Sequence, residues 1–423
     1  VKKVPSTQEH SNILSNLRVL FRAFQYRNYR LFFSGQSISL IGTWMQRIAL
    51  GWLVYRLTNS PILLGITGFS SQFPTFIFAP FAGVIADQTN RHRIMLITQT
   101  LAMIQALILA VLVLTNTITV THIILLSIML ALIRGFDIPA RQAFVVEMVE
   151  DKKDLGNAIA LNSATFNGAR LIGPSIAGLL ITLFGEGICF AINGVSYIAV
   201  IRALLAMKLK KNRTVRTSKN MLIELRQGLI YALKSRRIRS VLSLLGLVSL
   251  VGMPYAILMP VFARDVLKGG PSTLGFLVGA AGIGALIGAI LFASRKDVQG
   301  LERIIPLATT TFGSGLVIFS MSRTLWVSLI FMVMTGFGMM TQMVSSNTLL
   351  QTIVDDDKRG RVMSFYAMSF MGMAPVGSLL GGWFAKVIGA PNTLLLGGIL
   401  CIIGAWAFAY TLNVHKTLFR KSA

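Results

Sequence analysis

Twelve apolar runs, each near the ~20 residues that a helix needs to cross ~30 Å of hydrocarbon, constrain this chain more than anything else in it. They fall at roughly 31–56, 62–86, 94–114, 121–143, 157–183 and 188–207, then at 240–262, 274–294, 304–321, 325–349, 362–387 and 392–412. With 54% of 423 residues hydrophobic and 13% charged, a soluble fold of this size is excluded. A barrel would need short alternating strands, so the spans are helical. The expectation is an all-α membrane protein of twelve transmembrane helices in two six-helix bundles. Its divisions are an N-terminal segment 1–30, a bundle 31–207, a basic linker 208–239, a bundle 240–412 and a tail 413–423.

The two sets of six are related by an internal repeat. Gly42, Pro61, Leu64, Gly65 and Asp87 return 210 positions on as Gly252, Pro271, Leu274, Gly275 and Asp297. A second register, 201 positions, relates Gly135-Phe136, Ser163 and Pro174 to Gly336-Phe337, Ser364 and Pro375. Parallel halves of this kind are an arrangement of secondary transporters.

The net charge of +25 would suggest nucleic acid in a soluble domain. Here the basic residues occupy alternate loops, so the charge reads as membrane topology with both termini in the cytoplasm and no nucleic-acid partner. The linker adds a surface-helix pattern, Leu222 to Leu233. The N-terminus is basic through Arg30 and the first apolar run continues to Tyr55, too long for a signal peptide. Cys189 and Cys401 lie inside apolar runs and suggest neither disulfide nor metal site. No Ser-His-Asp grouping and no phosphate-cradling loop is present, so neither an enzyme nor an ATP-driven pump is expected, and no cofactor is implied.

Two stretches have the chemistry of moving parts. Gly83 and Asp87, four residues apart at the end of a helix, precede Arg91 and Arg93. The glycine admits a neighbouring helix, the carboxylate caps or pairs with it, and the arginines grip its end. Such a loop can latch one side of the membrane, with Asp297 as its counterpart. In the fifth span, Gly173-Pro174 bends the helix, while Gly168, Gly173, Ala177 and Gly178 allow close packing; Pro375 repeats the feature.

Gly83, Asp87, Arg91 and Arg93 resemble the signature loop between the second and third helices of the major facilitator superfamily, with Gln88 in place of a basic residue and Asn90 in place of glycine. Gly173, Pro174, Gly178 and Pro375 are similar to its antiporter motif, which implies export. The run from Leu132 to Phe144, taken with the fifth span, resembles the enterobactin-exporter and drug-efflux branch. That resemblance implies a monomer in a bacterial inner membrane, coupled by proton antiport, with the first and fourth helices lining a central cavity.

Charges inside spans cost at least ~2.5 kcal/mol each if unpaired, so they mark where function is sought. Arg47, Arg134 and Arg170 are such charges, with Gln46 and Gln36 beside the first. Guanidinium suits carboxylate, phosphate or catecholate oxygens, which points to a small amphipathic, anionic cargo: a siderophore or drug. The structural alternative is that Arg134 pairs with Asp137, and Arg170 with helix ends. Asp137 is the leading candidate for proton coupling and Asp265 the second. Trp44, Met45, Phe69, Phe73, Phe76, Met339, Met340 and Met343 are candidates for an adaptable apolar wall. A lysophospholipid transporter and a non-transporting membrane sensor stand as alternatives.

Overall fold

The computed structural model describes residues 22–208, 230–295, 297–356 and 358–421, and of Pro80, Val84, Ala86, Asp87, Lys152 and residues 412–421 the backbone only. Most of the expected linker helix, 222–229, lies outside the described residues. Twelve helical spans follow one another: α1 (Arg27–Thr58), α2 in two pieces (Pro61–Ser70 and Phe73–Gln88), α3 (Arg91–Leu114), α4 (Val120–Met148), α5 (Lys152–Phe184) and α6 (Glu186–Leu205). After the linker come α7 (Arg236–Val266), α8 (Pro271–Ala293), α9 (Leu301–Met321), α10 (Leu325–Ile353), α11 (Arg359–Ile388) and α12 (Ala390–Lys421). Eleven are apolar and long enough to cross a membrane. The remaining one, α1, has 32 residues and is diluted by Gln36, Gln46 and Arg47.

Local chemistry sets the helix ends. Asn90 starts α3, its side chain accepting a hydrogen bond from the Arg93 N–H at 3.2 Å. The residue that departs from the superfamily's glycine is therefore a helix cap. Thr119, Asp151 and Ser235 cap α4, α5 and α7 in the same way. Gly185 and Gly389, at φ +79° and +86°, make the left-handed turns from α5 to α6 and from α11 to α12. Three π turns, at Val248–Gly252, Phe262–Val266 and Met368–Gly372, interrupt α7 and α11.

Within the first six spans α6 packs on α1 and α3, and α4 on α2 and α3; within the last six α10 packs on α8 and α9, and α12 on α9. Lipid is as apolar as leucine, so close backbone approach does much of this work. The first set meets the second chiefly through α2 against α11 and α5 against α8. Both contacts are built on small residues at the end opposite the basic loops. A Cβ on Gly65 would lie 2.7 Å from Ser378 O and 3.1 Å from Gly382 Cα, and one on Gly178 would lie 2.8 Å from Pro271 O and 3.1 Å from Gly275 Cα.

These crossed contacts correct the repeat. They make Gly178 the counterpart of Gly382, and Pro174, whose carbonyl faces Gly275, the counterpart of Ser378, whose carbonyl faces Gly65. The offset over α5 and α11 is therefore 204, which Gly185 and Gly389 also obey, not the 201 that equates Pro174 with Pro375. Pro375 instead follows the π turn that opens the second part of α11.

Candidate transport site

A cavity of about 270 Å³ lies in the first bundle and reaches toward the basic end. The polar side chains of its wall come from α1 (Gln36, Ser39, Thr43, Arg47), α3 (Thr98, Gln99), α4 (Arg134, Asp137, Arg141) and α6 (Tyr197). Met371 of α11 is the one lining residue from the second bundle. On α4 the spacing of 134, 137 and 141 brings all three side chains to one face, as the helical period requires.

The two halves of this charge set differ in what they already hold. Asp137 is buried, pairs with Arg141 at 2.9 Å, and accepts hydrogen bonds from Gln99 Nε2 at 2.7 Å and Thr98 Oγ1 at 3.1 Å. It is a satisfied carboxylate, and its ion-pair partner is Arg141 rather than Arg134. Arg134 and Arg47 make no hydrogen bond or ion pair among the described residues. Arg47 lies deep in the protein, yet its side chain is open to the cavity. Its guanidinium stands 5.3 Å from the Trp44 ring. Arg47 also acts electrostatically on Arg134 and Arg170, so three like charges are held together.

Other expected residues stand elsewhere. Gln46 faces away from the cavity: it donates to Gln105 Oε1 at 3.1 Å and accepts from Asn193 Nδ2 at 2.6 Å, tying α1 to α3 and α6. One residue from Arg47 is 100° of helix, enough to turn it into the bundle core. Arg170 does not line the cavity; its guanidinium stands 5.9 Å from the Trp44 ring. Gly173 serves α1, since a Cβ there would strike Trp44 Cβ at 2.6 Å, whereas Gly168 has nothing within 4 Å. Of the aromatic and methionine residues expected in the wall, Trp44 lines this cavity; Met45 is in the core and Phe69 stacks on Phe73 at 4.4 Å.

Asp265 is remote from the cavity. It accepts a hydrogen bond from the Tyr55 hydroxyl, joining α1 to α7 at the end opposite the basic loops, where Arg264 also donates to Asn59 Oδ1 at 2.7 Å. Glu186 at that end is buried and takes two bonds from Arg56, at 2.7 and 3.3 Å. Asp154, at the basic end, is likewise buried, with bonds from Gln25 at 2.6 Å and Tyr26 at 2.9 Å. These two carboxylates are structural anchors.

The residues expected to form a latch lie at the basic end, around the α2–α3 and α8–α9 connections. A Cβ on Gly83 would meet nothing within 4 Å. Arg91 pairs with Glu147 of α4 at 2.6 Å, inside its own bundle, and Arg93 is exposed. Asp297 holds its own turn through the Gln299 N–H at 2.8 Å. The side chain of Asp87 lies outside the described residues. Thr98, Gln99 and Tyr197 carry no signal in the sequence that marks them as cavity residues, whereas the spacing of Arg141 puts it on the helix face of Arg134 and Asp137.

The chain is 26% identical over 386 residues to the staphyloferrin A transporter of Staphylococcus aureus, covering 90% of this chain and 95% of that one. It is 24% identical to the multidrug efflux pump Tap of Mycolicibacterium fortuitum, covering 82% and 87%. Among solved structures, a bacterial homologue of the human lysosomal transporter Spinster, in an inward-facing and unoccupied conformation, superposes with a TM-score of 0.71 at 14% identity, covering 91% of this chain and 97% of that one. The family model described as transmembrane secretion effector matches residues 20–418. The twelve-span fold, the repeated halves and that match together place this chain in the transmembrane secretion effector family of major facilitator transporters, a multi-pass membrane carrier and not an enzyme.

Proposed function

We propose that this transporter exports a small amphipathic anion from the cytoplasm by alternating access, with Arg47 and Arg134 as its anion ligands. The observation that carries the reading is the pair of guanidinium groups on one cavity wall with no hydrogen bond or ion pair among the described residues, beside a carboxylate that is already engaged. Keeping two such charges in a membrane interior costs several kcal/mol unless an anion visits them. The relatives named for staphyloferrin A and for multidrug efflux support a siderophore or drug as cargo. The basic loops lie in the cytoplasm of a bacterial inner membrane, so the cavity loads from inside. The bundles 31–207 and 240–412 then rock about the α2–α11 and α5–α8 contacts, and Gly83, Asp87, Arg91 and Arg93 latch the basic end as it closes.

Coupling to protons passes through Asp137. When a cargo anion draws Arg141 into the cavity, Asp137 loses its ion-pair partner. Asp265 acts at the opposite end as a gate residue.

The test is flux in proteoliposomes under an imposed pH gradient, with staphyloferrin A, a macrolide, a cationic dye and a lysophospholipid as cargoes. Anion efflux that collapses with the gradient, and that falls at least about tenfold in kcat/KM in Arg47→Ala and Arg134→Ala, supports the reading. Transport of the lysophospholipid alone, indifferent to pH, moves the site to a phosphate head group. Full activity of both variants toward every cargo overturns the anion site.

A further inference from the structure

Resting on that reading, we propose a division of labour between the two arginines: Arg47 is the anion ligand reached from both sides of the membrane, and Arg134 is a loading ligand reached from the cytoplasm only.

The observation behind this is a second cavity, about 100 Å³, whose wall also includes Arg47. It lies on the other side of Arg47, toward the sealed end, among Gly51 of α1, Thr67 and Gln72 of α2, Ile257 and Pro260 of α7 and Leu274 of α8. Those four spans belong to both bundles, and the Gly65–Gly382 contact closes α2 against α11 beside them. Arg134 lines the larger cavity and not this one. Helical rise agrees: Arg47 is 11 residues from Thr58, roughly 16 Å from the sealed end of α1, while Arg134 is 14 residues from Val120, roughly 21 Å from the matching end of α4.

When α2 and α11 part at that end, the small cavity joins the outside and the larger one is shut off. Arg47 is the one charged side chain in the wall of the small cavity; Thr67, Ser71 and Gln72 there are neutral. A cargo anion held by two guanidinium groups on the way in therefore keeps one on the way out. Losing one of two attractive charges weakens its hold on the release side, which favours unloading without any further gate.

Cysteine accessibility tests this without knowledge of the cargo. The native Cys189 and Cys401 are fully buried and give a low background. Arg47→Cys, Arg134→Cys and Thr67→Cys are each placed in the full-length protein and exposed to an impermeant anionic methanethiosulfonate in right-side-out and inverted vesicles. Thr43→Cys, one turn of α1 inward from Arg47 and lining the larger cavity only, stands in for position 134 if that variant does not insert. The expected result is labelling of 67 from outside, of 134 and 43 from the cytoplasmic face, and of 47 from both. Labelling of 47 from the cytoplasmic face alone, with 67 still labelled from outside, overturns the division of labour and leaves the export reading intact. Equal labelling of 134 and 43 from both faces does the same. Silence of both 47 and 67 from outside overturns the division and the alternating-access reading together.

Discussion

Gly65→Ala tests the alternating-access proposal at one contact, which that proposal makes in only one state of the transporter. The new Cβ would sit 2.7 Å from Ser378 O and 3.1 Å from Gly382 Cα, both backbone positions that cannot swing aside. An ordinary carbon contact is about 3.5 Å or more, so α2 and α11 must separate by roughly 0.5–1 Å. Overpacking of this kind costs about 1–3 kcal/mol. The gain in helix propensity from glycine to alanine is present in both states and cancels between them. The whole penalty therefore falls on the state sealed at this end, and shifts the equilibrium toward opening there by about 5- to 150-fold. Spin labels at Thr117→Cys and Thr324→Cys, exposed in the α3–α4 and α9–α10 loops at that end, report the separation of the bundles by pulsed electron resonance. The long-distance population should grow in Gly65→Ala, and equally in Gly178→Ala, whose Cβ meets Pro271 O at 2.8 Å. The two contacts are separate, so the double variant should show the sum of their free energies. An unchanged distance distribution in both single variants refutes the idea that these glycines seal the end.

Two further variants follow from the ion pairs. Asp137→Ala strips Arg141, Gln99 and Thr98 of a shared acceptor and should lower stability by about 2–3 kcal/mol, read as a fall in Tm in detergent; an unchanged Tm would show that the network is not holding α3 to α4. Tyr55→Phe removes the hydroxyl that binds Asp265 across the bundles while Arg264 keeps Asn59. It should favour opening at the sealed end by about 0.5–1.5 kcal/mol, two- to tenfold on the same spin-label pair, and no shift would exclude Asp265 from gating.

The repeat was legible in the sequence where matching residues do matching work, and misleading where they do not. Gly65 and Gly275 keep the 210 offset because each meets a glycine of the facing bundle. Pro174 and Pro375 align in the sequence by residue type, yet the carbonyl that faces Gly65 belongs to Ser378, three residues on. The longer α10–α11 connection and the π turn at Met368–Gly372 take up the difference. The second bundle also lacks the charges of the first. At the offset of 201, Arg141 becomes Gln342, whose buried amide has no hydrogen-bond partner among the described residues. The proposed anion site is thus confined to one half.

Apolar run length and the placing of basic residues between runs determined by themselves that this chain is a twelve-span membrane protein in two related halves, because hydrocarbon thickness and unpaired backbone groups leave a chain no other solution. Residue type and helical spacing also brought Arg47, Arg134 and Asp137 forward, since charge in a span is costly wherever it points. Only the tertiary structure decided which charges are spent. Asp137 and Arg141 satisfy each other, Gln46 turns into the core, Arg170 stops at Trp44, and Asp265 reaches Tyr55 from a distant part of the chain. Those outcomes depend on which helix faces which, and helix-to-helix contact is set by small residues meeting across bundles, a relation between two places in the chain that neither place carries alone.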